Sequence, residues 1–559
     1  MSDRIIGSNN KPLKIQFITD VHYYSRKLGT QGSAYDKMES KSQMVIKDSP
    51  FVIKRGFDML CEDTSTDIVV IAGDTTHEGE LESHEEFIEM LRGLKERGKR
   101  VYVITATHDY QDDGIAYAYD GDEKKAIPAV KERHDLWDMY YEFGPSEAIA
   151  CHKDSMSYVV QLAPGYRLFA LNDDTNYKPE GERGSGFSDD CMNWILEQLD
   201  DAVKNDQFVI AMTHHPMISP SPFYNIIGGG NMQRNYERTR EIFADAGLSC
   251  MLTGHTHVHD ISVVTTKKGN KFYDVACGAF IGCPPAMRNV TFDPANAKID
   301  VQTVYVDNVP EIDTNGKSFP EYMKGFFFGM IKEVLWAMGN DIDRLAEMTP
   351  AFSVSGETVK KYALIIKPVG KFLNRLTFKK IWRLCKKESG LKKADIADIA
   401  DNKVVDFILE LIQNLYCGDS PYTPDTREYK LTCGFLNVID SLLDTVHFSI
   451  GKVVKGATSV RGIVEPLLYN SGYCDEKATL PLYPIYDEKN PAPASAFEEK
   501  KQEDTVKKSK KGGLVLLIVI LLVILLLAII VGLVALIVWA VIAIIHAISG
   551  TAMLGLLFS

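Results

Sequence analysis

Histidine and carboxylate residues follow five short apolar runs in the N-terminal half of the chain. Each run has the length and composition of a buried strand, and each is followed by residues that can bind a metal ion or move a proton. The five endings are Asp20-Val-His22, Gly73-Asp74, Thr107-His108-Asp109, His214-His215-Pro216 and Gly254-His255-Thr256-His257. Apart from Gly254-His255-Thr256-His257, each of them alone is explained as well by an ordinary turn, whereas the five together predict a shared site.

The placement of these groups at strand ends predicts where they meet. In open α/β folds, functional groups gather beyond the carboxyl ends of the strands, so we expect the five endings to line one crevice. Carboxylate and imidazole ligands suit first-row divalent metals such as Mn, Fe, Co and Zn. A carboxylate such as that of Asp74 can give one oxygen to each of two cations, an arrangement that cleaves phosphoesters. The pattern therefore predicts a dinuclear metal site.

The order of these motifs resembles that of the calcineurin-like metallophosphoesterases, whose pattern is D-x-H, G-D, G-N-H-D/E, H and G-H-x-H. The sequence of residues 73–79 and 186–194 also resembles the cyclic-nucleotide phosphodiesterase-like branch of that family. The resemblance covers about residues 13–308. It implies a four-layer α/β/β/α sandwich and a hydrolase that cleaves a phosphomonoester or phosphodiester by attack of a metal-bridging hydroxide.

The resemblance also implies a role for each matching residue. The implied metal ligands are Asp20, His22 and His257 for one ion, His214 and His255 for a second ion, and Asp74 as the bridge between them. The ions would be two divalent metals such as Mn, Fe or Zn. His108 would stabilise the transition state or protonate the leaving group, and Asp109 would orient His108 by a hydrogen bond. His215 could face the substrate.

The third motif departs from the family pattern at two positions. Thr107 stands where the family has an asparagine that gives its side-chain oxygen to the second metal, and Ala106 replaces a glycine. Three outcomes are open: Thr107 holds a water molecule in that coordination position, the second site is weak and selective for another metal, or one metal binds and activity is low. We expect a working phosphoesterase, and the alternative is a catalytically weakened scaffold that acts as a membrane-associated interaction module.

Composition excludes several classes of protein. The 559 residues are enough for two or three domains. A net charge of -13 and a pI near 5.6 argue against nucleic acid as a partner. The ten cysteines include no Cys-x-x-Cys pair, so neither a disulfide framework nor a structural zinc site is predicted. The N-terminus lacks the features of a secretory signal peptide.

Changes in the residue pattern predict the domain boundaries. Residues 1–308 alternate apolar runs with helical stretches, which is typical of an α/β domain. Residues 311–480 have long helical patterns and predict an all-α domain. One face of its first helix would carry Met323, Phe327, Met330, Val334 and Met338. Residues 481–513 are proline-rich and charged, as in a disordered linker.

An apolar segment of 35 residues, 514–548, follows the linker and contains no permanently charged side chain. A helix needs roughly 20 such residues to cross a bilayer, so we expect a transmembrane segment. A single tilted span is favoured over a helical hairpin bent near Gly532. Four lysines between residues 507 and 511 precede the segment and, by the positive-inside rule, place the catalytic domain in the cytoplasm. The chain is thus expected to be anchored to a membrane near its C-terminus.

A second basic segment lies between Lys360 and Lys393, where twelve Lys and Arg residues accompany one acid, Glu388. Apolar and aromatic residues are interleaved with these charges. The segment is either a surface that contacts anionic lipid headgroups or an ordinary solvated helix face. The expected partners are therefore a phosphoester substrate, including a lipid-linked one, and membrane lipids. The oligomeric state is not predicted.

Overall fold

The computed structural model describes most of the chain up to residue 497. The described residues are 4–39, 42, 44–175, 184–220, 232–349, 356–445, 447, 449–450, 458–469 and 472–497. The predicted transmembrane segment, 514–548, and residues 498–513 of the predicted linker lie outside these ranges. Within them, no helix combines the length and the apolar character needed to cross a membrane.

Strands dominate the first 305 residues, and one further strand follows the helical region. The strands are β1 (Leu13–Ile18), β2 (Ile68–Ala72), β3 (Arg100–Ile104), β4 (Ile115–Asp120), β5 (Glu123–Pro128), β6 (Ala148–His152), β7 (Ser157–Ala163), β8 (Tyr166–Ala170), β9 (Asp174–Thr175), β10 (Gly184–Ser185), β11 (Phe208–Met212), β12 (Cys250–Thr253), β13 (Asp260–Thr265), β14 (Lys271–Ala276), β15 (Ala286–Asp293), β16 (Lys298–Tyr305) and β17 (Lys477–Pro481).

Helices flank these strands and then make up the region after β16. The α-helices are α1 (Ser33–Glu39), α2 (Ser49–Glu62), α3 (Leu81–Glu96), α4 (Asp135–Met139), α5 (Asp189–Lys204), α6 (Tyr236–Asp245), α7 (Phe319–Asn340), α8 (Ile342–Met348), α9 (Gly356–Lys361), α10 (Ala363–Arg375), α11 (Phe378–Cys385), α12 (Val404–Cys417), α13 (Arg427–Thr445) and α14 (Val460–Leu468). The α/β domain followed by a helical region is thereby confirmed.

Two mixed sheets form the centre of the α/β domain. The first has the strand order β17-β16-β15-β1-β2-β3, and the second has the order β13-β14-β12-β11-β8-β7-β6. In the first sheet β1, β2 and β3 are parallel to one another. In the second sheet β8, β11, β12 and β14 are parallel. Each sheet therefore gathers the carboxyl ends of several strands at one edge.

The two sheets pack face to face between two layers of helices. Phe17, Val70, Ile210 and Leu252 are buried between the sheets. The other face of β2, which carries Val69 and Ile71, is covered by α2 and α3. Helices α5 and α6 cover the outer face of the second sheet. Because both faces of each sheet are buried, the central strands are continuously apolar, and the layers follow the expected α/β/β/α order.

The first helix of the helical region contributes to two hydrophobic cores. Met323 and Phe327 of α7 pack into the core beside α2 and α3, whereas Met338 packs with α9 and α10. The predicted shared face of this helix is confirmed. Where α10 crosses α7, a Cβ atom on Gly370 would lie 2.3 Å from the Gly339 nitrogen, so this crossing requires glycine.

After the helical region the chain returns to the first sheet. Strand β17 pairs antiparallel with β16, with Leu480 opposite Ile299. Leu482 and Tyr486 are buried, and the Tyr486 amide donates to Asn270 Oδ1 at 2.7 Å. The predicted helical domain thus ends in a strand of the α/β domain, and the predicted linker is packed at its start. The physical reason is the alternating apolar pattern of residues 478, 480 and 482, which suits the edge of a buried sheet.

Candidate metal centre

The predicted ligands occupy an uncommon backbone conformation directly after their strands. Left-handed φ angles are found at Asp20 (51°), His22 (46°), Asp74 (50°), His255 (65°) and His257 (55°). Each such residue other than glycine costs about 1 kcal/mol or more. Five residues of this kind in one crevice indicate that the fold imposes strain in order to direct these side chains.

The first group consists of Asp20, His22 and His257. Its candidate ligand atoms all lie within 4.8 Å of one another. Asp20 Oδ1 is 3.3 Å from His257 Nε2 and 3.8 Å from His22 Nε2, and the two imidazole nitrogens are 3.3 Å apart. Asp20 and His22 are fully buried. One carboxylate and two imidazoles therefore converge on a single small space.

The second group consists of Asp74, His214 and His255, with the same spacing of candidate ligand atoms. His214 Nε2 is 3.1 Å from Asp74 Oδ2 and 3.2 Å from His255 Nδ1. The same Asp74 oxygen lies 3.9 Å from His22 Nε2, which belongs to the first group. Asp74 therefore stands between the two groups, where the sequence predicted a bridging carboxylate.

Surrounding contacts fix the orientation of these side chains. His214 Nδ1 is 2.7 Å from the Ala72 carbonyl, to which it donates when protonated, so Nε2 faces the crevice. Asp20 accepts from the His255 backbone N–H and from the Thr19 hydroxyl. A Cβ on Gly254 would lie 2.3 Å from Asp20 Oδ2, so the absence of a side chain there permits this close approach.

The charges in the crevice are strongly coupled. Burial opposes ionisation of Asp74, but the neighbouring His214 and His108 outweigh burial and hold the pKa of Asp74 well below its usual value. Burial, aided by the charge of His108, lowers the pKa of His22 well below 6.5. Burial, aided by His215, does the same to the pKa of His255. Burial lowers the pKa of His214, but Asp74 outweighs burial and raises this pKa well above 6.5, so His214 would release a proton on binding a metal.

This donor set fits two divalent ions. It contains only carboxylate oxygen and imidazole nitrogen, which bind first-row divalent metals. The Nε2 atoms of His22 and His257 face each other at 3.3 Å, so at least one of them presents a lone pair that can bind a cation. Two such triads linked by Asp74 support two divalent ions, whose identity the donor set leaves open.

His108 lies beside the first group and is the accessible member of the site. Its ring is 4.9 Å from that of His22, and its side chain is 39% exposed, whereas His22 is fully buried. His108 Nδ1 lies 2.8 Å from the His77 carbonyl and 3.5 Å from Glu78 Oε1. Burial lowers the pKa of His108, but Asp74 and Glu78 outweigh it and raise this pKa to about 10. The ring is therefore held as a cation that can donate a proton.

Asp109 does not have the predicted role of orienting His108. Its Oδ1 accepts from the Thr75 hydroxyl at 2.7 Å and from the Thr76 amide at 2.8 Å, and its Oδ2 accepts from the Ala106 amide at 2.8 Å. The prediction is wrong because neighbours on a loop point in different directions. Asp109 is fully buried beneath the loop and ties it to the end of β2.

Thr107 contacts the bridging carboxylate. Its hydroxyl donates to Asp74 Oδ1 at 3.3 Å, and the His108 amide donates to the same oxygen at 2.9 Å. Asp74 Oδ2 remains directed toward His214 and His22. Thr107 thus contacts a predicted ligand through a hydrogen bond, and the three outcomes that the sequence left open for this position stay predictions.

Sequence reasoning missed three supporting residues. Glu78 is the carboxylate near the His108 ring, and only its position four residues after Asp74 could have indicated it. His84 is buried, with its ring nitrogens 2.8 Å from the Tyr140 hydroxyl and 2.9 Å from the Asp109 carbonyl. Asp173 Oδ2 lies 3.2 Å from His215 Nδ1, so a buried carboxylate adjoins this buried histidine. No local pattern marks the last two.

Comparison with known proteins agrees with this geometry. A family model described as calcineurin-like phosphoesterase matches residues 13–259, the part of the chain that carries every residue of the two groups. The match shows that this domain is similar to the calcineurin-like phosphoesterases. No curated protein matches the chain.

Three solved structures illustrate the range of the structural likeness. A dimetal phosphatase from Danio rerio is 14% identical, with 53% of this chain and 96% of that chain covered and a TM-score of 0.38. A conserved uncharacterized protein from Streptococcus pneumoniae TIGR4 is 12% identical, with 53% and 91% covered and a TM-score of 0.21. NAD nucleotidase from Haemophilus influenzae is 10% identical, with 66% and 62% covered and a TM-score of 0.27. At these TM-scores the likenesses carry no conclusion about the activity of this chain.

Proposed function

We propose that the protein is a metal-dependent phosphoesterase that hydrolyses a phosphomonoester or phosphodiester. The observation that carries the proposal is the convergence of two carboxylate–imidazole triads around Asp74, beside the partly exposed side chain of His108. Asp20, His22 and His257 would hold one divalent ion, and His214 and His255 would hold a second, with Asp74 between them. Bound metal ions would supply Lewis acidity and a nucleophile at neutral pH.

The protein's own groups would act on the leaving group and on the shape of the site. His108 Nε2 would give a proton to the departing oxygen, since Nδ1 is occupied by the His77 carbonyl. Glu78 would keep the imidazolium charged and oriented. Asp109 would hold the loop that presents His108, through its contacts with Thr75, Thr76 and Ala106.

We further propose that the chain belongs to the cyclic-nucleotide phosphodiesterase-like branch and is anchored to a membrane by residues 514–548, with the catalytic domain in the cytoplasm. Residues 73–79 and 186–194 support the branch by resemblance, and the length of the apolar segment supports the anchor. A lipid-linked or membrane-proximal phosphoester is the substrate class that such an anchor favours.

Metal analysis together with hydrolysis tests the main proposal. The full chain, purified in mild detergent, is assayed for metal by elemental mass spectrometry and for turnover of chromogenic mono- and diesters with added Mn²⁺. We expect about two metal ions per chain and turnover that falls more than about 100-fold in Asp74→Asn. Asp138→Asn, which alters an exposed carboxylate on α4, is the matched control. A folded chain with neither metal nor turnover would exclude the enzyme.

A second candidate function, a catalytically weakened scaffold, rests on Thr107. Substitution Thr107→Asn introduces the side chain that the family pattern has at this position. A large gain in hydrolysis would indicate a site weakened by Thr107 and favour the scaffold. A loss would indicate a site adapted to the hydrogen bond from Thr107 to Asp74, as the observed geometry leads us to expect.

A further inference from the structure

One side of α10 is exposed and carries a regular stripe of basic residues around a leucine. Leu364, Lys367, Lys371 and Arg375 recur at three- and four-residue spacing, so they share one face of the helix, and all four are exposed. The opposite face of α10 packs against α7 through the close crossing described above. The exposed stripe is therefore a surface that the described part of the chain leaves to solvent.

Helix α11 continues this surface. Lys380, Arg383 and Leu384 are exposed and share one face of the helix, again as two cations with one leucine. Lys380 Nζ donates to the Arg375 carbonyl at 2.6 Å, which joins the end of the first stripe to the start of the second. We call these seven residues the basic face: Leu364, Lys367, Lys371, Arg375, Lys380, Arg383 and Leu384.

The basic face carries charge that the rest of the described chain does not neutralise. Elsewhere some exposed cations are paired, as Lys54 is with Asp58 and Lys27 with Glu82. In the ranges that the structure describes, none of the five cations of the basic face forms an ion pair with an acidic side chain. In a chain with a net charge of -13, this local concentration of positive charge is a surface that would attract an anionic partner.

The leucines indicate what kind of partner this is. Leu364 is 91% exposed, more than any other large hydrophobic residue among those described, and Leu384 is 36% exposed. Cations on a helix face can contact anionic headgroups while an adjacent leucine enters the acyl boundary. A nucleic acid would match the charge alone and would leave the apolar side chain of Leu364 in contact with a polar surface.

We propose that the basic face docks the helical region onto an anionic bilayer. The proposal goes beyond hydrolysis and holds whether or not the chain is an enzyme. A polybasic surface adds attraction to anionic headgroups to the attachment that a separate hydrophobic segment provides. Lysines 507, 508, 510 and 511, next to the apolar segment, have the charge that the same leaflet would attract.

Lysine footprinting of the full chain tests this docking. The detergent-purified protein is assembled into nanodiscs of either phosphatidylcholine alone or a phosphatidylserine-rich mixture, and each lysine's rate of acetylation is measured by mass spectrometry. In anionic discs we expect acetylation of Lys367, Lys371 and Lys380 to slow by about fivefold or more relative to neutral discs, because headgroups cover them. Lys11 and Lys153, exposed on the α/β domain, serve as internal controls and should change less than about twofold.

Two variants separate specific docking from general attraction. Leu364→Glu should abolish the protection of Lys367 and Lys371, whereas Ile149→Glu, at a 53% exposed position on β6, should leave it intact. Salt at about 0.5 M should also reverse the protection.

Three results would overturn the proposal. The first is equal acetylation of the basic face in neutral and anionic discs. The second is exclusion of the chain from anionic discs, since an intact basic face should bind them even if the apolar segment did not insert. The third is protection by a soluble polyanion such as RNA with none by anionic discs, which would assign the basic face to a nucleic acid.

Discussion

Charged side chains are arranged in opposite ways in the candidate metal centre and on the basic face of α10 and α11. In the metal centre, Asp20, Asp74 and His214 are fully or almost fully buried and lie within 4 Å of oppositely charged or hydrogen-bonding groups. On the basic face, Lys367 and Lys371 are exposed and form no ion pair within the described ranges. Burying the charged groups of the metal centre costs folding free energy, whereas exposing the charges of the basic face costs very little.

This difference shows how each region can be interpreted. Burying a charge without partners is strongly unfavourable, so a buried cluster of carboxylates and imidazoles persists only if the fold compensates it or a cation does. Surface charges are screened by water and salt, so their grouping is not needed for stability. We therefore interpret the buried cluster as a candidate reactive site and the basic face as a candidate binding surface.

The largest expected effect comes from the exposed member of the metal centre. His108→Ala removes the proton donor, so kcat should fall by about 10² to 10⁴ while metal content stays unchanged. Stopped-time hydrolysis and elemental analysis of the same sample measure the two quantities. His134→Ala, at an exposed histidine near the Asp154 carbonyl, is the control and should keep its turnover. Loss of metal in His108→Ala would instead indicate a ligand.

Glu78→Gln should have a smaller effect with a characteristic pH dependence. The negative charge of Glu78 raises the pKa of His108, so its removal lowers that pKa. If the protonated imidazole is the active form, the alkaline limb of the kcat profile moves to lower pH, with about tenfold less activity above neutrality. A kcat profile recorded between pH 5 and 10 shows whether the alkaline limb moves, with Glu82→Gln as the surface control. An alkaline limb that stays in place would contradict this role.

Asp109→Asn should affect stability more than proton transfer. The amide replaces a carboxylate that accepts four buried hydrogen bonds from Thr75, Thr76 and Ala106, so the free energy of unfolding should fall by about 1–3 kcal/mol. Because Asp109 faces away from the His108 ring, the alkaline limb should not move. Urea unfolding together with the pH profile tests both statements. Unchanged stability with a shifted limb would restore the role that the sequence predicted for Asp109.

The smallest effect is expected on the basic face. The double substitution Lys367→Gln and Lys371→Gln removes two exposed charges that no described acid pairs with. Tm should change by less than about 2 °C, and turnover of a soluble chromogenic ester should stay within about twofold of the parent value. A large loss of stability would show that these lysines support the fold and would remove the contrast with the metal centre.

Much of the candidate site could be predicted because its signals are local. All six predicted ligands follow apolar strands, and the structure brings them into two groups around Asp74. Their role as metal ligands stays a prediction until metal is measured. The α/β domain and the helical region could also be predicted, because burial on both sides of a strand and on one side of a helix leaves different periods in the sequence.

Contacts that depend on side-chain direction could not be predicted. Asp109 adjoins His108 in the chain, yet the carboxylate nearest the His108 ring belongs to Glu78 on another loop. The sequence also did not predict that β17 belongs to the first sheet. Its pairing partner lies far earlier in the chain: the hydrogen bond from Thr479 to Asp300 spans a separation of 179 residues. No short window of sequence contains such a pairing.

The sequence by itself therefore determined the kinds of reactive group, their order and their place at strand ends, because these follow from local periodicity and residue chemistry. It also determined the apolar segment and the excess of basic residues between 360 and 393. The tertiary structure alone decided which oxygen faces which nitrogen, which hydroxyl supports Asp74, and that the cations of α10 and α11 remain exposed around Leu364 and Leu384. These relations arise from packing between distant segments, which fixes the directions of side chains.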